Sequence, residues 1–135
     1  DYGFPRREYY HPQRLMGTLM CHYRHRAHAD PLWLPGLNDI TAHVDFTAMA
    51  EAAERAGLEV AGFTALAPFL LGCRMLDGLA ATGAPESPVY LRAAAAVQKL
   101  LAPSEMGELF KVLAVARSEA IAWPGFDVAD RRHRL

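Results

Sequence analysis

Asp39-Ile40-Thr41-Ala42-His43-Val44-Asp45-Phe46, followed by Thr47 to Ala56, Gly57 and Leu58 to Thr64, is the stretch that decides the fold. Its first eight residues alternate as a short strand does, so Ala42, Val44 and Phe46 share one face while His43 and Asp45 share the other. Thr47 to Ala56 is a run of Ala, Met and Glu, strong helix formers, and reads as a helix that the Asp45 carboxylate can cap. Gly57 supplies the left-handed residue that ends it. Leu58 to Thr64, the run Leu-Glu-Val-Ala-Gly-Phe-Thr, reads as a second strand. Helix followed by strand at this spacing predicts an α/β crossover and puts the chain in the α/β class.

Downstream, an apolar helix is expected from Phe69 to about Leu79 after Pro68, then a Thr-Gly-Ala-Pro-Glu-Ser-Pro loop, then a helix from Pro88 to Leu101. Pro103 to Gly107 reads as a short helical turn. Leu109 to Ala116 is sufficiently β-branched for a buried strand, and the tail through Asp130-Arg131-Arg132-His133-Arg134-Leu135 ends basic. Upstream, residues 1–35 are rich in Tyr, Arg, His and Pro with no helical period, so they read as loop with one extended piece at Thr18 to Arg24. The chain therefore divides into a loop-rich basic and aromatic segment, 1–38, and an α/β segment, 39–135. Asp1-Tyr2-Gly3 reads as the polar exit of a buried strand, which implies the second half of a larger domain.

Composition narrows the function classes. The 135 residues are 52% hydrophobic and 21% charged, with a formal net charge of −1. That balance disfavours bulk binding to nucleic acid or to a membrane surface, both of which need a basic field. Cys21 and Cys73 are too few for a disulfide framework, so a reducing cytoplasm is the default. The longest apolar stretch, Ala65 to Cys73, is far short of a membrane span.

His22, His25 and His28 are three apart, a spacing that converges only on a helix. On an extended segment they diverge, and Arg24 and Arg26 between them repel a divalent cation, so no metal site is expected. The same stretch, from Tyr9 to Arg26, can serve as a basic and aromatic surface for a protein or RNA partner. His43 and Asp45 form a polar pair on one strand face, which reads either as a site or as a helix cap beside a hydrogen-bonded histidine. No G-x-S-x-G elbow, no G-x-G pair and no phosphate loop occurs.

These residues carry a resemblance. Asp1-Tyr2-Gly3, Gly17-Thr18-Leu19-Met20-Cys21-His22-Tyr23-Arg24-His25-Arg26, Asp39 to Phe46, Met106-Gly107-Glu108-Leu109-Phe110-Lys111-Val112-Leu113 and the closing Asp130 to Leu135 resemble, in order and spacing, the C-terminal portion of the MidA-like family. That family consists of class I S-adenosylmethionine-dependent methyltransferases whose mitochondrial members support respiratory complex I assembly by methylating an arginine of a subunit. Two positions depart from its pattern, Leu66 where a Gln is common and Met16 where a small or polar residue precedes the glycine.

The resemblance implies the C-terminal part of a Rossmann-like sheet with added helices. Asp1-Tyr2-Gly3 would end its fifth strand, and Leu58 to Thr64 and Leu109 to Ala116 would be its last two strands, all three of parallel type. S-adenosylmethionine would be held mainly by residues preceding Asp1, leaving the isolated chain inactive. His43 and Asp45 are the implied catalytic residues, and Tyr2, His22 and Arg24 the substrate-binding ones. The implied partner is a protein substrate such as a complex I subunit, in a bacterial cytoplasm or a mitochondrial matrix. Severed strands would expose an apolar edge, so an aggregation-prone or homodimeric chain is expected. The competing expectation is a non-catalytic module that holds a partner through Tyr9 to Arg26.

Overall fold

Asp45 is the hinge of the architecture. It closes the parallel pair of β1 (Gly3–Phe4) with β5 (Val44–Asp45) and, through Oδ1 accepting from the Ala48 amide at 3.0 Å, opens helix α2 (Phe46–Arg55). Gly57 at φ +74 ends that helix, with the Leu58 amide on the Ala53 carbonyl and the Gly57 amide on the Glu54 carbonyl, both at 2.9 Å. This is the reciprocal pairing of a Schellman terminus, and it turns the chain directly into β6 (Glu59–Ala65). The computed structural model describes residues 1–118 and 122–135.

β6 pairs with β7 (Lys111–Ala116), and Tyr2 bridges Phe110 on the far side, so the Asp1–Tyr2 strand end, β7 and β6 lie side by side in that order. Both contacts are antiparallel, which corrects the expectation of parallel strands. The reason is where the intervening chain runs. Helices α3 (Leu66–Gly72), α4 (Met75–Ala80) and α5 (Pro88–Leu101) fill the connection, yet the Leu66 amide meets the Phe110 carbonyl at 2.9 Å. The excursion thus leaves and returns at the same end of the sheet, and a parallel pair would need it to cross to the other end.

The outer side of β6 is covered. The Arg131 amide donates to the Phe63 carbonyl at 2.6 Å and Arg132 Nη1 to the Val60 carbonyl at 3.0 Å, so the tail and its final 3-10 turn (Arg132–Arg134) occupy the outer side of β6. Phe126 lies over Gly62, where any Cβ would run into its ring.

α5 begins as the sequence reads, with Ser87 Oγ accepting from the Tyr90 amide at 3.1 Å and Pro88 in the first turn. The single helix expected from Phe69 to Leu79 is instead two, broken where Arg74 takes φ +60. Gly72 just before the break lies against the Gly125 backbone and Asp127, an approach that no residue with a Cβ could make. The core sits between α2 and the sheet: Phe46, Ala50 and Ala53 point down one helix face onto Phe63 and Ala65, and the Phe46 and Phe63 rings are 5.2 Å apart.

Residues 1–38 contain more structure than a loop. α1 (Arg6–Tyr9) follows β1, and β2 (Met20–Tyr23) and β3 (Arg26–His28) form a hairpin extended on its other side by β4 (Asp39–Thr41). The hairpin turn is Arg24-His25, both at positive φ, where a sequence rule looks for Asn-Gly.

Candidate functional site

β4 carries Asp39 and Thr41 on one parity and hands that parity on to His43, while β2 presents Met20 and His22 beside them. Tyr2, just before β1, and Leu109 and Phe110, just before β7, complete a cavity of about 530 Å³. The walls are mostly apolar and aromatic, with Asp39 the carboxylate among the lining residues. Of the five residues singled out from sequence, Tyr2, His22 and His43 meet here.

His43 is the most constrained of the three. Its imidazole stacks on Phe4, with centroids 4.9 Å apart and planes 13° from parallel, and takes the edge of Tyr2 at 4.9 Å. Its amide donates to Thr18 Oγ1 at 3.3 Å, and the Arg14 guanidinium lies over the Phe4 ring, 4.1 Å from its centroid. Burial pushes the imidazole pKa below its ordinary value; a hydrogen bond to the Thr18 backbone opposes the shift and the Arg14 charge adds to it. The side chain is therefore neutral at neutral pH. Its Nδ1 is buried without a hydrogen-bond partner among the described residues. Tyr2 is fixed in turn by its hydroxyl, which hydrogen-bonds Thr41 Oγ1.

Asp45 is placed elsewhere. Besides capping α2, its Oδ2 lies 3.4 Å from Arg6 Nε, and Arg6 also forks onto Glu51, with Nη2 to Oε2 at 2.8 Å. That pairing holds the Glu51 carboxyl below the usual range and raises the Arg6 guanidinium. His43 and Asp45 therefore serve different neighbourhoods: β4 ends at Thr41, β5 resumes only at Val44, and Asp45 turns into the helix. Arg24 sits at the exposed hairpin tip, 5.4 Å over the Tyr23 ring, and does not line the cavity.

His28 bonds Asn38 Oδ1 through Nε2 at 3.1 Å and meets the Trp33 edge, while His25 occupies the turn, so the three evenly spaced histidines go separate ways. Among the described residues, no group of three or more His, Cys, Asp or Glu is placed to hold a metal, and no helix is long and apolar enough to cross a membrane. Sequence reasoning missed Phe110, Asp39 and Thr41. The parity of Asp39, Thr41 and His43 was a usable signal for two of them; Phe110 carried none, because only the antiparallel return of β7 brings it against Tyr2.

Residues 1–64, just under half of the chain, match the family described as "Putative S-adenosyl-L-methionine-dependent methyltransferase". No curated protein matches the chain. Two crystal structures of a COG1565 superfamily protein from Burkholderia thailandensis match it along its whole length at 54% identity and a TM-score of 0.94. One is of an uncharacterized native protein; the other is described as a "likely methyl transferase" bound to S-adenosyl-homocysteine. The chain spans 36% and 35% of their lengths. Its α/β architecture is thus that of part of a Rossmann-like methyltransferase fold with added helices, and the whole chain is similar to about a third of a protein crystallised with S-adenosyl-homocysteine.

Proposed function

We propose that this chain is the substrate-side part of an S-adenosylmethionine-dependent protein methyltransferase and that the Tyr2, His22 and His43 cavity receives the residue to be methylated. The observation that carries the reading is a neutral, ring-clamped His43 brought together with Tyr2 and His22 in an aromatic cavity, in a chain 54% identical to a protein crystallised with S-adenosyl-homocysteine. The cofactor supplies an electrophilic methyl group on a sulfonium. The residues present fit the acceptor side of that chemistry. Ten glycines occur with no two separated by a single residue, so this chain offers no glycine-rich cofactor loop, and the adenosyl group would be held by residues outside it.

On this reading Tyr2 and Phe110 wall the site and exclude water, Asp39 meets a cationic substrate side chain at the rim, and neutral His43 takes up the proton that the nucleophile releases. Arginine is the proposed acceptor and a respiratory complex I subunit the proposed protein substrate, in a bacterial cytoplasm or a mitochondrial matrix. Asp45 acts through Arg6 and α2, and His22 lines the substrate path. Calorimetric titration of S-adenosylmethionine into this chain, and into the protein extended through the preceding segment, tests the division of labour. Binding by the extended form alone is expected; binding by the short chain would move the cofactor site into it, and binding by neither would remove the methyltransferase reading.

The second reading is a partner-binding module using Tyr9 to Arg26. Leu15 and Met16 in that segment are 90% and 91% exposed, which favours a covering partner. Retention of methyl transfer after substitution of both residues by Ser, with loss of a co-purifying protein, would support it.

A further inference from the structure

The chain has a formal net charge of −1, yet one corner is strongly cationic. α1 meets the C-terminal turn there: Arg134 pairs with Glu8, and behind them Arg131 forks onto Glu108 with contacts of 2.8 and 2.7 Å. Lys111 lies close enough to feel Glu8, Glu108, Arg131 and Arg134. Four cations, counting Arg7, face the two carboxylates. Between α1 and the tail lies a cavity of about 550 Å³ whose lining includes Arg7, Glu8, His11, His133 and Arg134. Arg7 is exposed and has no ion-pair or hydrogen-bond partner of its side chain among the described residues.

We propose that this cavity binds an oxyanion of the phosphate class, free or as a phosphomonoester. Glu8 is already matched by Arg134, so the surplus charge sits with Arg7, for which no ion pair is found among the described residues. Donors come from two separate segments, α1 and the tail, and therefore from opposing walls. A planar carboxylate is satisfied by one guanidinium fork, whereas a tetrahedral anion offers acceptors in several directions at once and suits donors so arranged. His11 already accepts from the Gln13 amide through Nδ1 at 3.3 Å, which leaves Nε2 as its donor. The site is independent of the methyltransferase reading.

Calorimetric titration of the intact chain with inorganic phosphate and with phenyl phosphate at low ionic strength tests this. Saturable binding is expected, weakened roughly tenfold by Arg7→Gln and by His133→Asn and reduced by added salt. Stronger binding of phenyl phosphate identifies a phosphomonoester ligand, and equal binding identifies the free anion. Both substituted residues are exposed, so melting curves by circular dichroism should match the parent. Absence of saturable binding at millimolar phosphate, or binding that neither substitution alters, would overturn the proposal.

Discussion

The sheet-and-helix framework and the β2–β3–β4 excursion are held together by different physics. In the framework Phe46, Ala50, Ala53, Phe63, Thr64 and Ala65 are buried, so apolar burial fixes α2 against β6 and β7. In the excursion Cys21 is buried while Leu32 is 80%, Leu37 64% and Ile40 51% exposed. Its order comes from ladder hydrogen bonds and from Trp33, whose ring edge-packs with Tyr23 and His28 and whose carbonyl accepts from Asn38. The cavity lies on the seam, with Tyr2 and Phe110 from the framework and His22, Asp39 and Thr41 from the excursion. The cavity thus joins a wall fixed by apolar burial to one held chiefly by hydrogen bonds.

The sharpest way to break the contrast is Phe63→Ala. The ring is 1% exposed and packs on Phe46, so truncation leaves a cavity between α2 and β6 and should cost about 3–5 kcal/mol in denaturant unfolding. Leu37→Ala in the excursion should change the same measurement by no more than about 0.5 kcal/mol. Equal losses would mean that the two regions share one core.

Gly3→Ala attacks the seam itself. A Cβ there would collide with the Val44 backbone across the parallel pair, so the strands must part at an expected cost of about 1–3 kcal/mol. Near-ultraviolet circular dichroism should report loosened packing of Tyr2 and Phe4 around His43, since all three sit next to that pair.

Asp45 separates two uses of one carboxylate. Asp45→Ala removes the cap on α2 and should destabilise by about 1 kcal/mol, while Asp45→Asn keeps an accepting oxygen and should lose only a fraction of that. If methyl transfer in the intact enzyme is abolished by Asp45→Asn at unchanged stability, the carboxylate acts in the chemistry and not through the helix.

The smallest effect is a pH dependence. Arg131 holds the Glu108 carboxyl below its ordinary value, chiefly through their paired hydrogen bonds. A depressed folded-state pKa adds stability above the unfolded glutamate pKa, near 4.3, and that increment disappears as pH falls toward the folded value. Because the Glu108 side chain is 44% exposed, solvent screening limits the gain to about 0.5 kcal/mol. Melting temperature against pH should therefore fall less on the acid side in Glu108→Gln than in the parent, and parallel curves would show that the ion pair contributes nothing.

Local signals were legible in the sequence wherever one residue type can satisfy a backbone demand. Asp45 as N-cap, Gly57 as the left-handed terminator and Ser87-Pro88 opening α5 are such cases, because a free amide or a positive φ admits few side chains. The Asp39 to Phe46 run reads as one strand with His43 and Asp45 on a shared face, whereas β4 ends at Thr41 and β5 begins at Val44, so His43 lies between two strands. The Arg24-His25 turn was illegible, since neither residue is a preferred turn former and the ladder on either side imposes the positive φ. The break at Arg74 was hidden for a related reason: it follows from Gly72 meeting Gly125, more than fifty positions away.

The sequence by itself determined the α/β class, the caps that delimit α2 and the Pro88 start of α5, all of which depend on interactions within a few residues. Only the tertiary structure decided that β7 returns antiparallel, that the tail covers β6, and that Phe110 faces Tyr2 while Asp45 serves Arg6 and α2. Those outcomes depend on which end of the sheet the excursion over residues 66–110 rejoins, a choice fixed by the packing of its helices that no short window of residues can encode.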